Sequence, residues 1–165
     1  MKKLSSIITK VAGAISIVML ITLALSLFTG VIARYVFSYS IPEIEVVRKF
    51  SVMWLVFMGS ALAVKEKLHL EIDILSDYMS ENKIRIKNII VYVLTLIGIV
   101  ILILVGIAAF RSGLMRTELV SIRFLSSPPS LIYYYSAFLV GSIFMLYFHL
   151  ANLKDLFKRK EVKKQ

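Results

Sequence analysis

The residues best placed to do chemistry form one short cluster, Glu45, Arg48 and Lys49. Glu45 stands three positions before Arg48 and four before Lys49. On a helix that spacing brings all three onto one face, with the acid ahead of the bases, the more favourable order. The arrangement suits ion pairing, or extension of the two bases to lipid headgroups along their aliphatic stems. It does not suit catalysis: the chain shows no nucleophile with its base, no run of acids for proton transfer and no glycine-rich phosphate loop. His69 and Asp73 are four apart and share a face if that stretch is helical. A metal ion needs more ligands than these two. Haem held by two histidines would need imidazoles at membrane depth on facing helices, and neither His69 nor His149, at the end of the last apolar run, meets that requirement. The absence of cysteine excludes disulfides, thiolate catalysis and cysteine metal sites. The expectation is a chain that is not an enzyme and holds no cofactor or metal.

The elements that carry these residues are set by hydrophobicity. The chain of 165 residues is 59% hydrophobic, against roughly 45–50% for a soluble domain, and the excess is gathered into long uncharged runs. Val11–Ala33 is uncharged for 23 residues, Ile89–Phe110 for 22 and Phe124–Phe148 for 25. A helix of about 20 apolar residues crosses the hydrocarbon of a bilayer, and there the backbone must hydrogen-bond to itself. Pro128 and Pro129 suggest the start of the last helix, with Ser127 as its cap. Phe50–Val64 is uncharged for only 15 residues, and it becomes long enough by taking in Arg48 and Lys49 from a start near Pro42. The fold class expected is therefore an all-α membrane protein with a single domain over residues 1–165. Its four transmembrane helices fall at about 11–36, 42–64, 87–110 and 128–150. The first run is longer than the roughly 7–15 apolar residues of a signal peptide, and no A-x-A site follows it, so it is expected to stay in the mature protein.

Basic residues orient these spans. Fourteen of the 20 lysines and arginines fall before the first span, between the second and third, and in the tail. The positive-inside rule makes that face cytoplasmic, with both termini inside. Arg34 closes the first span on the opposite side. Tyr35, Phe37, Tyr39 and the run Tyr133, Tyr134 and Tyr135 also fall there, at the level where amphipathic rings settle. The net charge of +10 is explained by topology and by the lipid surface, without nucleic acid as a partner. In the connection from Lys65 to Lys87, apolar Leu68, Leu70, Ile72 and Ile74 alternate with His69, Glu71 and Asp73. Ile72, Leu75 and Met79 then recur at helical spacing. Residues 68–80 read as an amphipathic segment on the inner leaflet; the alternative is a loop packed on other cytoplasmic residues. Ser80 and Glu81 suit the start of the third helix.

Within the spans, Trp54 lies away from the interfaces, so its indole N–H wants a partner in the bundle or in a neighbouring subunit, unless it serves only for packing. Gly59 with Ala63, and Ala137 with Gly141, are small pairs at four-residue spacing that permit close helix approach, either within the bundle or toward a partner. The four uncharged runs contain no carboxylate, lysine or arginine, and intramembrane charges are what normally mark an ion or proton route. Neither a broken helix nor an inverted repeat supplies a midplane site.

The order of these features resembles the small membrane (Q) subunit of tripartite ATP-independent periplasmic (TRAP) transporters. The resemblance begins at Arg34, Tyr35, Val36 and Phe37, continues through Pro42 and the acid Glu45, and includes Trp54–Gly59 with the sequence W-L-V-F-M-G. His69 and Asp73 correspond to a histidine and an aspartate after the second helix. A proline, the tyrosines and Gly141 resemble the fourth. The likeness covers nearly the whole chain, and residues 34–73 carry its specific part. Glu43 and Glu45 are separated by Ile44 where the family often has adjacent acids, and either Arg48 or Lys49 corresponds to its arginine.

The resemblance implies a sodium-coupled transport system for organic acids such as a dicarboxylate or sialic acid, in a bacterial cytoplasmic (inner) membrane. Its partners would be a large elevator-type membrane (M) subunit and an extracytoplasmic substrate-binding protein. This chain would be the non-catalytic subunit that scaffolds the large one and helps dock the binding protein. Arg34, Glu45, Arg48, Lys49, Trp54, Gly59, His69, Asp73 and Gly141 would be structural or subunit-interface residues, with Arg34 either paired there or facing outer headgroups. Two other readings fit a small greasy chain: a membrane anchor of a redox enzyme, and a homo-oligomeric channel or exporter.

Overall fold

A computed structural model describes residues 2–66, 81–120 and 128–153 of the chain. Four helices account for most of them: α1 (Lys2–Tyr35), α2 (Pro42–Glu66), α3 (Glu81–Leu114) and α4 (Ile132–Ala151). All four are long and apolar enough to cross a membrane. His69, Asp73, the expected amphipathic segment 68–80, the caps Ser80 and Ser127, and the basic tail from Lys154 lie outside the described residues.

Helix boundaries follow backbone chemistry rather than the edge of the hydrocarbon. α1 begins at Lys2, well before Val11, and α3 runs from Glu81 to Leu114 rather than from 87 to 110. Each has 34 residues, about 51 Å of helix, against roughly 30 Å of hydrocarbon. The surplus carries lysines and arginines, which a helix tolerates well and which suit the aqueous edge. α2 opens on Pro42, whose fixed φ and missing N–H fit the first helical position, with Glu43 and Glu45 in the first turn against the helix dipole. The turn between α1 and α2 places Ser38 at a φ of 49°, and the Tyr39 N–H returns to the Ala33 carbonyl at 3.0 Å.

The fourth helix departs most from expectation: Pro128 and Pro129 are not part of it. The stretch ahead of Ile132 pairs with the chain leaving α3, through an antiparallel bridge between Thr117 and Ser130. The Glu118 N–H donates to Pro129 O at 2.8 Å, and the Leu131 N–H donates to Arg116 O at 3.0 Å. A proline carbonyl can accept where its nitrogen cannot donate, so these prolines are accommodated in an extended turn. The Ser130 hydroxyl donates to Gly113 O at 2.8 Å and accepts the Ile132 N–H at 3.3 Å. One side chain thus fastens the end of α3 to the start of α4.

The helices form an open row in the order α1, α2, α4, α3, and the remaining pairs touch only marginally. α2 and α4 run parallel and share the central seam. Gly141 allows it: a Cβ there would sit 2.6 Å from Phe57 Cβ and 2.9 Å from Phe57 O. Phe57 stacks on Phe138 with ring centroids 4.6 Å apart. The core lies toward the ends of α2 and α4, where Ala61, Val64, Ile99, Met145 and Phe148 cluster and Ile8 of α1 packs on them. There the Asn152 amide donates to Val64 O at 3.1 Å. His149 stacks on Tyr92 with centroids 4.0 Å apart. Its Nε2 lies 3.1 Å from the Tyr92 carbonyl, and because a carbonyl only accepts, that nitrogen carries the proton. The outer helices α1 and α3 keep almost all of their spans uncovered.

Candidate functional site

The site is a charged collar at the end of the row where α1 and α3 finish and α2 and α4 begin. Three elements build it: the first two turns of α2, the closing turn of α1 and the link from α3 to α4. α2 begins about two turns ahead of α4, so its charges stand clear of the central seam. Below them its uncharged stretch, Phe50–Val64, lies against α4.

The structure divides the cluster Glu45, Arg48 and Lys49. Glu45 and Arg48 pair with each other on successive turns of α2. Lys49 turns away from them and donates to the Glu118 carboxylate at 3.1 Å. The expected three-residue group on one face is therefore two pairs with different partners. The reason is geometric: Arg48 has already taken the Glu45 carboxylate, and the bridge at Thr117 and Ser130 holds Glu118 within reach of Lys49. Glu118 is only 8% exposed while the Lys49 side chain is 48% exposed. A carboxylate so enclosed needs its cation, since a buried unpaired charge is costly. The ion pair ties the α3–α4 link to α2 across 69 positions of sequence.

Beneath the collar is an aromatic layer. The Trp54 indole N–H donates to Tyr133 O at 3.3 Å, so it has a partner within the chain. Phe50 packs between Trp54 and Tyr134, with centroids at 6.1 and 6.3 Å. Gly113 lets α3 close on this layer: a Cβ there would lie 2.7 Å from Tyr135 Cδ2 and 3.0 Å from Ile132 N. Arg34 ends α1 on the other flank, is exposed, and takes part in no ion pair among the described residues. Together with Glu45 and Arg48 it borders a cavity of about 260 Å³ in the mouth of the α1–α2 hairpin.

The small pairs behave differently. Ala137 and Gly141 are buried in the seam with α2, whereas a Cβ at Gly59 would meet nothing within 4 Å. Gly59 lies on one stripe of α2 with the exposed Val52 and Val56 and with Ala63. Sequence reasoning missed Glu118, Ser130 and Gly113. Glu118 did leave a signal: it is the only acid between Glu81 and Asp155, in a link that also holds Arg116 and Arg123 and follows Arg111 in the last turn of α3.

Several serine and threonine hydroxyls along the spans are turned back on their own helices, while the buried Ser51 and Tyr134 hydroxyls have no hydrogen-bond partner among the described residues. Ser16 donates to Ala12 O, Thr22 to Val18 O, Thr95 to Val91 O and Ser142 to Phe138 O. Such back-bonding satisfies the hydroxyl in lipid and occupies its proton. The arrangement braces helices, and the pairs Glu45–Arg48 and Lys49–Glu118 lie together at one end.

The sequence model of a family described as "Tripartite ATP-independent periplasmic transporters, DctQ component" matches residues 23–159. The matched stretch includes the whole collar, the aromatic layer and Gly141. No curated protein matches the chain.

Proposed function

This chain belongs to the DctQ component family of tripartite ATP-independent periplasmic transporters, and from that premise we propose that it is the scaffolding subunit of a sodium-coupled importer of organic acids. It is a multi-pass membrane protein and the small membrane component of such a system. Beyond that, its work in our reading is to seat the immobile part of the large elevator-type subunit in the bilayer and to help receive the substrate-binding protein. Both termini face the cytoplasm of a bacterial inner membrane, which puts the collar on the outer side. The reading assigns no cofactor to this subunit.

The observation that carries the scaffold role is the uncovered apolar surface of the row. Ile17, Leu25, Phe28, Leu94 and Leu104 are each more than half exposed, on helices where Ser16, Thr22, Thr29 and Thr95 return their hydroxyl protons to the backbone. Such a surface suits lipid and the packing of another membrane protein. The open stripe Val52, Val56, Gly59 and Ala63 is the part of α2 suited to close approach by a foreign helix. Arg34, Glu45, Arg48 and Lys49 act in this reading as structural charges at the outer edge, as do His69 and Asp73 near the inner one.

The test is reconstitution. Proteoliposomes holding this chain, the large subunit and the binding protein take up a labelled organic acid under an inward sodium gradient; vesicles holding this chain alone show no flux. Flux through the isolated chain would replace the scaffold reading with a channel. A Soret band in the purified chain would replace it with a redox anchor.

A further inference from the structure

We propose that the mouth of the α1–α2 hairpin is a binding site for one phospholipid, whose headgroup phosphate is held by Arg34 and Arg48. The cavity there, of about 260 Å³, is lined by both arginines, by Glu45, and by apolar Leu27, Val31 and Ile44. Its charge identifies the occupant. Glu45 neutralises one arginine through its pair with Arg48, and Arg34 has no ion pair among the described residues. The three groups carry one surplus positive charge, which a phosphodiester matches. Guanidinium groups suit phosphate through their planar forked donors.

The geometry of the two helices converges on one level. Helical side chains lean toward their own N-terminus. Arg34 at the end of α1 therefore leans toward the middle of the membrane. Arg48, in the second turn of the antiparallel α2, leans outward. Their Cα atoms sit on either side of the level where Gly30 meets Ile44, and the side chains approach that level from both directions. Leu27 and Val31 share Arg34's face of α1 at seven and three positions before it, which places Leu27 roughly 10 Å deeper. Both are exposed. A charged rim above a greasy stripe suits an amphiphile, with phosphate above and acyl chain below. A soluble acidic peptide would use the arginines and leave the stripe uncovered.

Native mass spectrometry of the delipidated full chain, released from detergent, tests the assignment. Titration with dioleoylphosphatidylglycerol is expected to leave one adduct per chain, while dioleoylglycerol and inorganic phosphate leave none. Arg34→Gln should reduce adduct retention about tenfold, the loss expected for a charged hydrogen bond of at least about 1.4 kcal/mol, with helicity and melting unchanged. Arg34→Lys should recover part of it. Val31→Trp, which fills the cavity and leaves the charges in place, should reduce retention as well. Full retention in both Arg34→Gln and Val31→Trp overturns the site. Equal retention of dioleoylglycerol overturns the role of phosphate, and equal binding of inorganic phosphate makes it a free-anion site instead.

Discussion

Lys49 and Glu118 show how burial decides which ion pair matters. The Glu45–Arg48 pair is exposed and local, and such pairs contribute about 0–1 kcal/mol. The Glu118 carboxylate is enclosed, so losing its cation leaves it poorly solvated. Lys49→Ala is expected to lower the unfolding free energy of the detergent-solubilised chain by about 1–3 kcal/mol, read from thermal or denaturant melts. Lys49→Ala combined with Glu118→Gln should cost clearly less than the sum of the two single changes, as residues in direct contact do. Additive costs would show that the two do not interact. Glu45→Ala should change the same melt by less than about 1 kcal/mol. The basic half of this arrangement is legible in the sequence because helical spacing puts Glu45, Arg48 and Lys49 together. The acidic half is not, because no local rule links Lys49 to a residue beyond another helix.

Helices are the most legible elements here, and their ends the least. Apolar runs of more than twenty residues declare α1 and α3 without help from context. α2 is declared less by its short apolar run than by Pro42 and the acids behind it. For α4 the double proline misleads, because proline suits both a first helical position and an extended turn. The choice is made by hydrogen bonds to Arg116 and Glu118, which no local pattern reveals. The glycines divide at this scale too. Gly141→Leu should break the α2–α4 seam, since the clash is with Phe57 backbone; the expected result is loss of a cooperative melt. Gly59→Leu should leave the melt of the isolated chain unchanged and lower the yield of large subunit that co-purifies with it. Equal co-purification would remove Gly59 from the contact surface.

At the scale of the whole molecule, membrane character and span number are legible, and the lateral order of the helices is not. Nothing in the apolar runs says that α4 rather than α3 adjoins α2; that follows from the fit of Gly141 to Phe57. Topology has a direct test, because the chain has no cysteine of its own. Ser40→Cys and Leu119→Cys, near the collar, should react with a membrane-impermeant maleimide added to intact cells. Lys3→Cys should react only after the membrane is opened. The reverse pattern would turn the protein over.

The span of 69 positions between Lys49 and Glu118 also has a consequence in time. Ribosomes add roughly 5–20 residues per second, so the lysine is made about 3–14 s before its carboxylate exists. During that interval the ammonium on the nascent α1–α2 hairpin stands without its carboxylate. A lysine stem is long enough to carry its ammonium out to the headgroups meanwhile. Once the later hairpin is made, Glu118 is there to receive it.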